Sequence, residues 1–177
     1  MKLRLLPVLV SLLVTTAVLF GGLFVYRSEA MEKPLLNIVQ GTEGVERAEM
    51  DISSNKISLR LELAPQASLR EIMQHIRTEG AHKIGNRALD VVVTNDTPAE
   101  LDKWWSGALF EVAQAMETKQ YAKIPEALNA QAAQLEGLQV ATEMDDDNVY
   151  IRLTKDGRSK FVILPRTPAR LGVWPNE

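Results

Sequence analysis

Cysteine is absent from the chain. That excludes a disulfide scaffold, a thiolate metal site, a cysteine nucleophile and a lipid-modified cysteine anchor. Histidine is scarce: His75 and His82 are the only two, and neither stands in an HExxH or comparable ligand spacing. There is no Gly-x-Ser-x-Gly elbow, phosphate loop or dinucleotide fingerprint. Asp145-Asp146-Asp147-Asn148 lacks the spaced ligands and distal glutamate of a calcium loop, so it reads as a solvated hairpin turn. The sequence therefore assigns no catalytic residue, no cofactor and no metal ligand, and the expectation is a protein that is not an enzyme.

Charge is missing from Leu5 to Tyr26, "LLPVLVSLLVTTAVLFGGLFVY". As a helix this run would extend ~33 Å, enough to cross a bilayer core. Lys2 and Arg4 precede it and Arg27 follows. The positive-inside rule then places the N-terminus in the cytoplasm and the rest outside, as a single-pass signal anchor in the cell membrane. The alternative is secretion after cleavage near Ala30, since Ser28-Glu29-Ala30 offers the small residues a cleavage site wants. The run is longer than a signal core, which favours the anchor.

Basic residues are also in short supply outside that segment. Of 20 Lys and Arg, Lys2, Arg4 and Arg27 belong to the anchor and its flank, leaving 17 against 23 acidic side chains, about −6. A negative surface argues against nucleic acid as a partner.

The remaining chain reads as mixed α and β. Pro34 to Val39 predicts a short helix ended by Gly41 and Gly44. Residues 45–52 and 56–63 predict a hairpin, with Ile57, Leu59, Leu61 and Leu63 inward and Lys56, Ser58, Arg60 and Glu62 in water. Ser68 and Glu71 have capping-box spacing before a helix closed by Gly80. Residues 81–87 read as a loop, and "ALDVVVTN", 88–95, as a central strand. Thr97-Pro98-Ala99-Glu100 predicts a second capping box, opening a helix to about Glu117. A helix over 125–136, ended by Gly137, precedes strands at 138–144 and 148–154. Lys155-Asp156-Gly157-Arg158 predicts a tight hairpin into "KFVILP".

Two stretches echo each other. Glu43-Gly44-Val45 matches Glu136-Gly137-Leu138, Glu49-Met50-Asp51 matches Glu143-Met144-Asp145, and Leu59-Arg60-Leu61 matches Ile151-Arg152-Leu153. Each belongs to a helix, glycine, strand, turn, strand unit. Duplication and convergence on the same helix-hairpin chemistry both account for it, and the result is two small modules or one sheet built from both. The expected fold class is α+β: an N-terminal transmembrane helix (1–27), an αββαβ-type module (28–96), a second helix-plus-antiparallel-strands unit (97–166) that is a candidate divergent repeat, and an irregular tail (167–177) carrying Trp174.

The element order over residues 34–95, with its helix–Gly–Val–strand opening at Gly44-Val45, resembles the ring-building motifs of membrane-anchored secretion and sporulation channels, and is similar to KH-like folds. The resemblance covers about a third of the chain and implies a structural, assembly role. A KH-type RNA site would need a Gly-x-x-Gly loop in basic surroundings. Gly41-Thr42-Glu43-Gly44 carries a glutamate instead, so no RNA role follows.

The candidate partner surface is Trp104, Trp105 and Phe110. The 98–117 helix holds more large apolar residues than one face needs: Leu101, Trp104, Trp105, Leu109, Phe110, Val112 and Met116. Trp105, Leu109, Val112 and Met116 form one stripe, and Phe110 lies off it. The expected function is a membrane-anchored extracytoplasmic assembly protein acting through protein–protein contacts, as a homo-oligomer or with an envelope protein. The alternative is an exported ligand- or peptide-binding regulator with a cleft beside the Trp104 helix.

Overall fold

The computed structural model describes residues 5–27 and 32–166. The Ser28-Glu29-Ala30 cleavage motif, Lys2, Arg4 and the tail 167–177 with Trp174 lie outside the described residues. Helix α1 spans Leu5–Arg27. Within it, the side chains of Pro7 and residues 9–22 are described. Among the described residues no helix is long and apolar enough to cross a membrane, so the structure does not support the expected transmembrane span.

The remaining elements are α2 (Lys33–Gln40), β1 (Val45–Ile52), β2 (Lys56–Leu63), α3 (Leu69–Glu79), α4 (Ala81–Ile84) and β3 (Ala88–Val93), then α5 (Ala99–Glu117), α6 (Lys123–Ala132), β4 (Gln139–Met144), β5 (Asn148–Lys155) and β6 (Arg158–Pro165). The fold is mixed α+β. It has two three-stranded sheets, β1-β2-β3 and β4-β5-β6, rather than one sheet built from both units.

In the first sheet β1 runs antiparallel to β2, and β3 parallel to it. A parallel return needs a crossover, which α3 and α4 supply. The 56–63 alternation holds: Ile57, Leu59, Leu61 and Leu63 are buried while Lys56 and Arg60 are exposed. The inward face meets Leu35 and Val39 of α2 and Ile72, Met73 and Ile76 of α3 in one core. The other face is wet. Its charges pair at the surface, as Lys56 does with Asp90 at 2.8 Å.

Several expectations are corrected. Strand β3 lies at the sheet edge, not its centre, and alternates between exposed and half-buried residues, because the central place went to β2. The 81–87 loop contains α4. The second capping box does not form: Pro98 stands at the helix N-cap without a side-chain bond, and the Thr97 hydroxyl turns back to the Asn95 carbonyl. Helix α6 ends at Ala132, so Gly137 turns the chain into β4 instead of ending the helix. The first capping serine behaves as expected, its hydroxyl accepting from the Glu71 N–H.

The second sheet is an antiparallel meander. Asp156 and Gly157, both at positive φ, make its two-residue β5–β6 turn. Val149, Ile151 and Leu153 face α5 and α6, in a core with Leu101, Ala108, Val112, Ile124 and Leu128. Tyr150 and Phe161, on the opposite face, belong to the first core. The sheet is thus a wall with hydrophobic packing on both sides.

Polar contacts fasten that wall to the segment joining β2 to α3. Arg152 donates to the carbonyls of Gln66 and Ala67. Ser159 donates to the Pro65 carbonyl at 2.7 Å and shares a 2.7 Å hydrogen bond with Thr154. The Ser68 hydroxyl donates to the Glu143 carboxylate at 2.9 Å while capping α3.

Candidate docking surface

Helix α5 lies across the second sheet. Glu100 and Asp102 in its first turn suit the positive end of the helix dipole. They also receive Lys155 at 2.7 Å and Lys160 at 2.8 Å from β5 and β6. Leu101, Ala108, Val112 and Ala115 form the buried side. This pins the rotation of the helix about its axis, and the outward positions follow from geometry.

Of the three candidate residues, Trp104 and Trp105 are half-buried and pack against the second core. Phe110 stands outside it, 82% exposed. The structure therefore separates the tryptophan pair, which works largely as core, from the phenylalanine. At ~100° per residue, Phe110 is on the side opposite Leu101, Ala108 and Val112. Its helical neighbours Lys103, Ser106, Gly107, Ala113, Gln114 and Glu117 are all exposed as well. Leu109, 41% exposed, borders this face.

Two of the clefts that border the helix lie next to its large apolar residues. One of about 690 Å³ lies beside Trp104, bounded by Lys103, Gly107, Gln131 and Leu135. The other, about 440 Å³, is lined by Leu109, Met116, Tyr121 and Leu164. Polar and titratable groups also line both: Glu100, Glu111 and Gln134 in the first, Glu117 and Lys119 in the second.

The most connected polar cluster is elsewhere, at the junction of the two units, where sequence reading expected only a solvated turn. Asp145 Oδ1 accepts from the N–H groups of Asp147 at 2.8 Å and Asn148 at 2.7 Å. Its Oδ2 accepts from the buried Tyr150 hydroxyl at 2.6 Å. Arg77 of α3 reaches Asp147 at 2.6 Å and Asp145 at 3.5 Å. Burial pushes the Asp145 carboxyl up, but the bonds from Tyr150, the two backbone amides and Arg77 outweigh it, and the group is held below its usual range. Burial, then Asp145 itself, pushes the Tyr150 phenol well above its own. Arg166 donates to the carbonyls of Asp145 and Asp147 and lies over the Tyr121 ring, 4.7 Å from its centre. The only sequence signal for this cluster was Asp145 itself, three residues before a strand. Arg77 and Arg166 come from distant positions that periodicity cannot link.

Both Asp145 oxygens are engaged, which suits a structural lock rather than a reactive centre, while the Arg166 Nε is buried without a hydrogen-bond partner. His75 and His82 are exposed. Among the described residues no group of three or more His, Cys, Asp or Glu side chains is placed to hold a metal ion. The Gly41–Gly44 tetrapeptide is a structural turn. Thr42 is buried with its hydroxyl on the Ile38 carbonyl, and Gly44 sits at φ +87°.

Comparison of the chain with protein-family models, curated proteins and solved structures finds no match.

Proposed function

We propose that this protein is a membrane-anchored, extracytoplasmic assembly module that works through protein–protein contacts made by the outer face of α5. The observation that carries the reading is Phe110. A large aromatic at 82% exposure, centred on a face where every neighbour is exposed, has no role in the core. Phenylalanine is among the aromatic residues enriched in protein–protein interfaces. The acidic balance outside the anchor fits a protein partner better than a nucleic acid.

Membrane attachment rests on the uncharged Leu5–Tyr26 run and the basic residues before it. The αββαβ element order over 34–95 supports the likeness to ring-building motifs, with no diagnostic residue behind it. The cleft beside Trp104 favours a second reading, a monomeric regulator binding a peptide or small ligand there.

Affinity capture of the intact protein from membranes, wild type against Phe110→Glu, tests the first reading. Specific capture of a protein or a second copy, lost in the variant, supports it. Unchanged capture in both, or no protein partner together with ligand binding beside Trp104, overturns it. Protease added outside intact cells stripped of any wall should digest the chain beyond Arg27, and protection of that region would reverse the topology.

A further inference from the structure

The outer face of α5 has a symmetry that names its partner. Lys103 lies seven residues before Phe110 and Glu117 seven after, both within about 20° of it around the helix. Neither makes an ion pair among the described residues. Ser106 and Gln114 stand four residues to either side, and Gly107 and Ala113 three. All six are exposed. From the assembly reading above, we infer that a second copy of this chain docks here, the two α5 helices packing antiparallel about a two-fold axis beside Phe110.

An antiparallel pair centred on Phe110 brings Lys103 of each copy level with Glu117 of the other. Ser106 meets Gln114, a hydroxyl against an amide, and Gly107 meets Ala113. The small pair lets the backbones approach so that the two Phe110 rings fill the centre. Ser106 already donates to the Asp102 carbonyl at 2.9 Å, so its oxygen is oriented to accept from the Gln114 amide. A parallel pair would set Lys103 against Lys103 and Glu117 against Glu117, which is repulsive. The charges therefore select the antiparallel arrangement, and an isologous two-fold contact closes without propagating.

The full chain, purified in a mild detergent, is examined by sedimentation over a range of concentrations. A dimer is expected. Lys103→Glu and Glu117→Lys should each weaken it about tenfold or more, because each changes two symmetry-related pairs at once. The double exchange, Lys103→Glu with Glu117→Lys, should return affinity to within about threefold of wild type. The chain has no cysteine, so Phe110→Cys reports only its own neighbour. It should form a disulfide-linked dimer under mild oxidant, while Gln74→Cys on the exposed side of α3 should not. A dimer indifferent to all these changes overturns this inference while leaving assembly through another surface. A monomer at every concentration, or a face that captures only a different protein, also overturns it. In both cases the membrane capture experiment still decides the broader reading.

Discussion

Strands β2 and β5 occupy the same place, each at the centre of a three-stranded sheet, and each carries an apolar–Arg–apolar triplet: Leu59-Arg60-Leu61 and Ile151-Arg152-Leu153. Their surroundings differ. In β2 the residues alternate, Leu59 and Leu61 buried and Arg60 in water. In β5 nearly every residue from Asn148 to Thr154 is buried. Both strands turn one face to helices. The second face of the first sheet meets solvent, whereas that of the second sheet meets the first unit. One local pattern thus serves a half-wet sheet and a fully enclosed one. The difference lies in what docks on the far side, which no residue within the strand specifies.

The register adds to this. Glu49 stands opposite Arg60, but the matching Glu143 stands opposite Tyr150, and Arg152 opposite Ala141. The second hairpin is shorter by about two residues, an even shift that keeps each residue on its own face. Echoed residues therefore keep their faces but not their partners.

The largest effect should come from putting a carboxylate into each central strand. Leu61→Asp should abolish cooperative unfolding, since an unpaired buried charge costs several kcal/mol. Tyr150→Asp and Ile151→Asp, adjacent and on opposite faces of β5, should both be as severe. A denaturant titration that found either of these two tolerated would break the claim that β5 is enclosed on both sides.

Next come the two echoed glycines. Gly44 and Gly137 both sit at positive φ, +87° and +79°. A Cβ on Gly44 would lie 2.8 Å from the Ala67 Cβ, whereas one on Gly137 would meet nothing within 4 Å. Gly137→Ala should cost about 1–2 kcal/mol from backbone strain alone. Gly44→Ala adds overpacking and should reach about 2–4 kcal/mol. Equal losses in melting experiments would show that the Ala67 contact relaxes freely.

A smaller contrast concerns the arginines. Arg60→Ala should change stability by no more than about 0.5 kcal/mol. Arg152→Ala strands the carbonyls of Gln66 and Ala67 and should cost about 1–3 kcal/mol. A silent Arg152→Ala would show that the hydrogen bonds to the 64–68 segment do not hold the units together.

These contrasts mark how far the sequence was legible. Period-2 alternation located β1 and β2 because one of their faces is wet, and the Asp156-Gly157 turn was readable because two positive φ angles demand those residue types. β3 was misplaced because a short valine run looks alike at an edge or a centre. The enclosure of β5 was invisible in advance, since Tyr150, Thr154 and Ser159 are ordinary strand residues until a second unit covers them. On α5, periodicity singled out Phe110 as off the core stripe, and the structure exposes it. The same reasoning left Trp104 and Trp105 open, and both pack on the core. Arg77 escaped notice because its partners, Asp145 and Asp147, lie about 70 residues away.

The finest test of the comparison is acid. Asp51 and Asp145 close the two echoed Glu-Met-Asp triplets, but Asp51 is exposed on β1 while Asp145 holds Tyr150, two backbone amides and Arg77. With its folded pKa depressed below the usual 3.8, Asp145 binds a proton less readily in the folded chain than in the unfolded one. Its contribution to stability is therefore complete above about pH 4 and disappears as pH falls through the lower, folded value. Wild type should exceed Asp145→Asn in stability by a constant margin from neutral pH down to about pH 5. That margin should then shrink as the medium is acidified further. Asp51→Asn controls for the loss of a charge as such. Unfolding free energies measured from pH 7 to pH 2.5 decide the matter. A margin that stayed constant through the acid range would mean that the carboxylate charge of Asp145 does not couple the turn to Tyr150 and Arg77, and that the junction of the two units is held by packing and by the hydrogen bonds of Arg152, Ser159 and Ser68 instead.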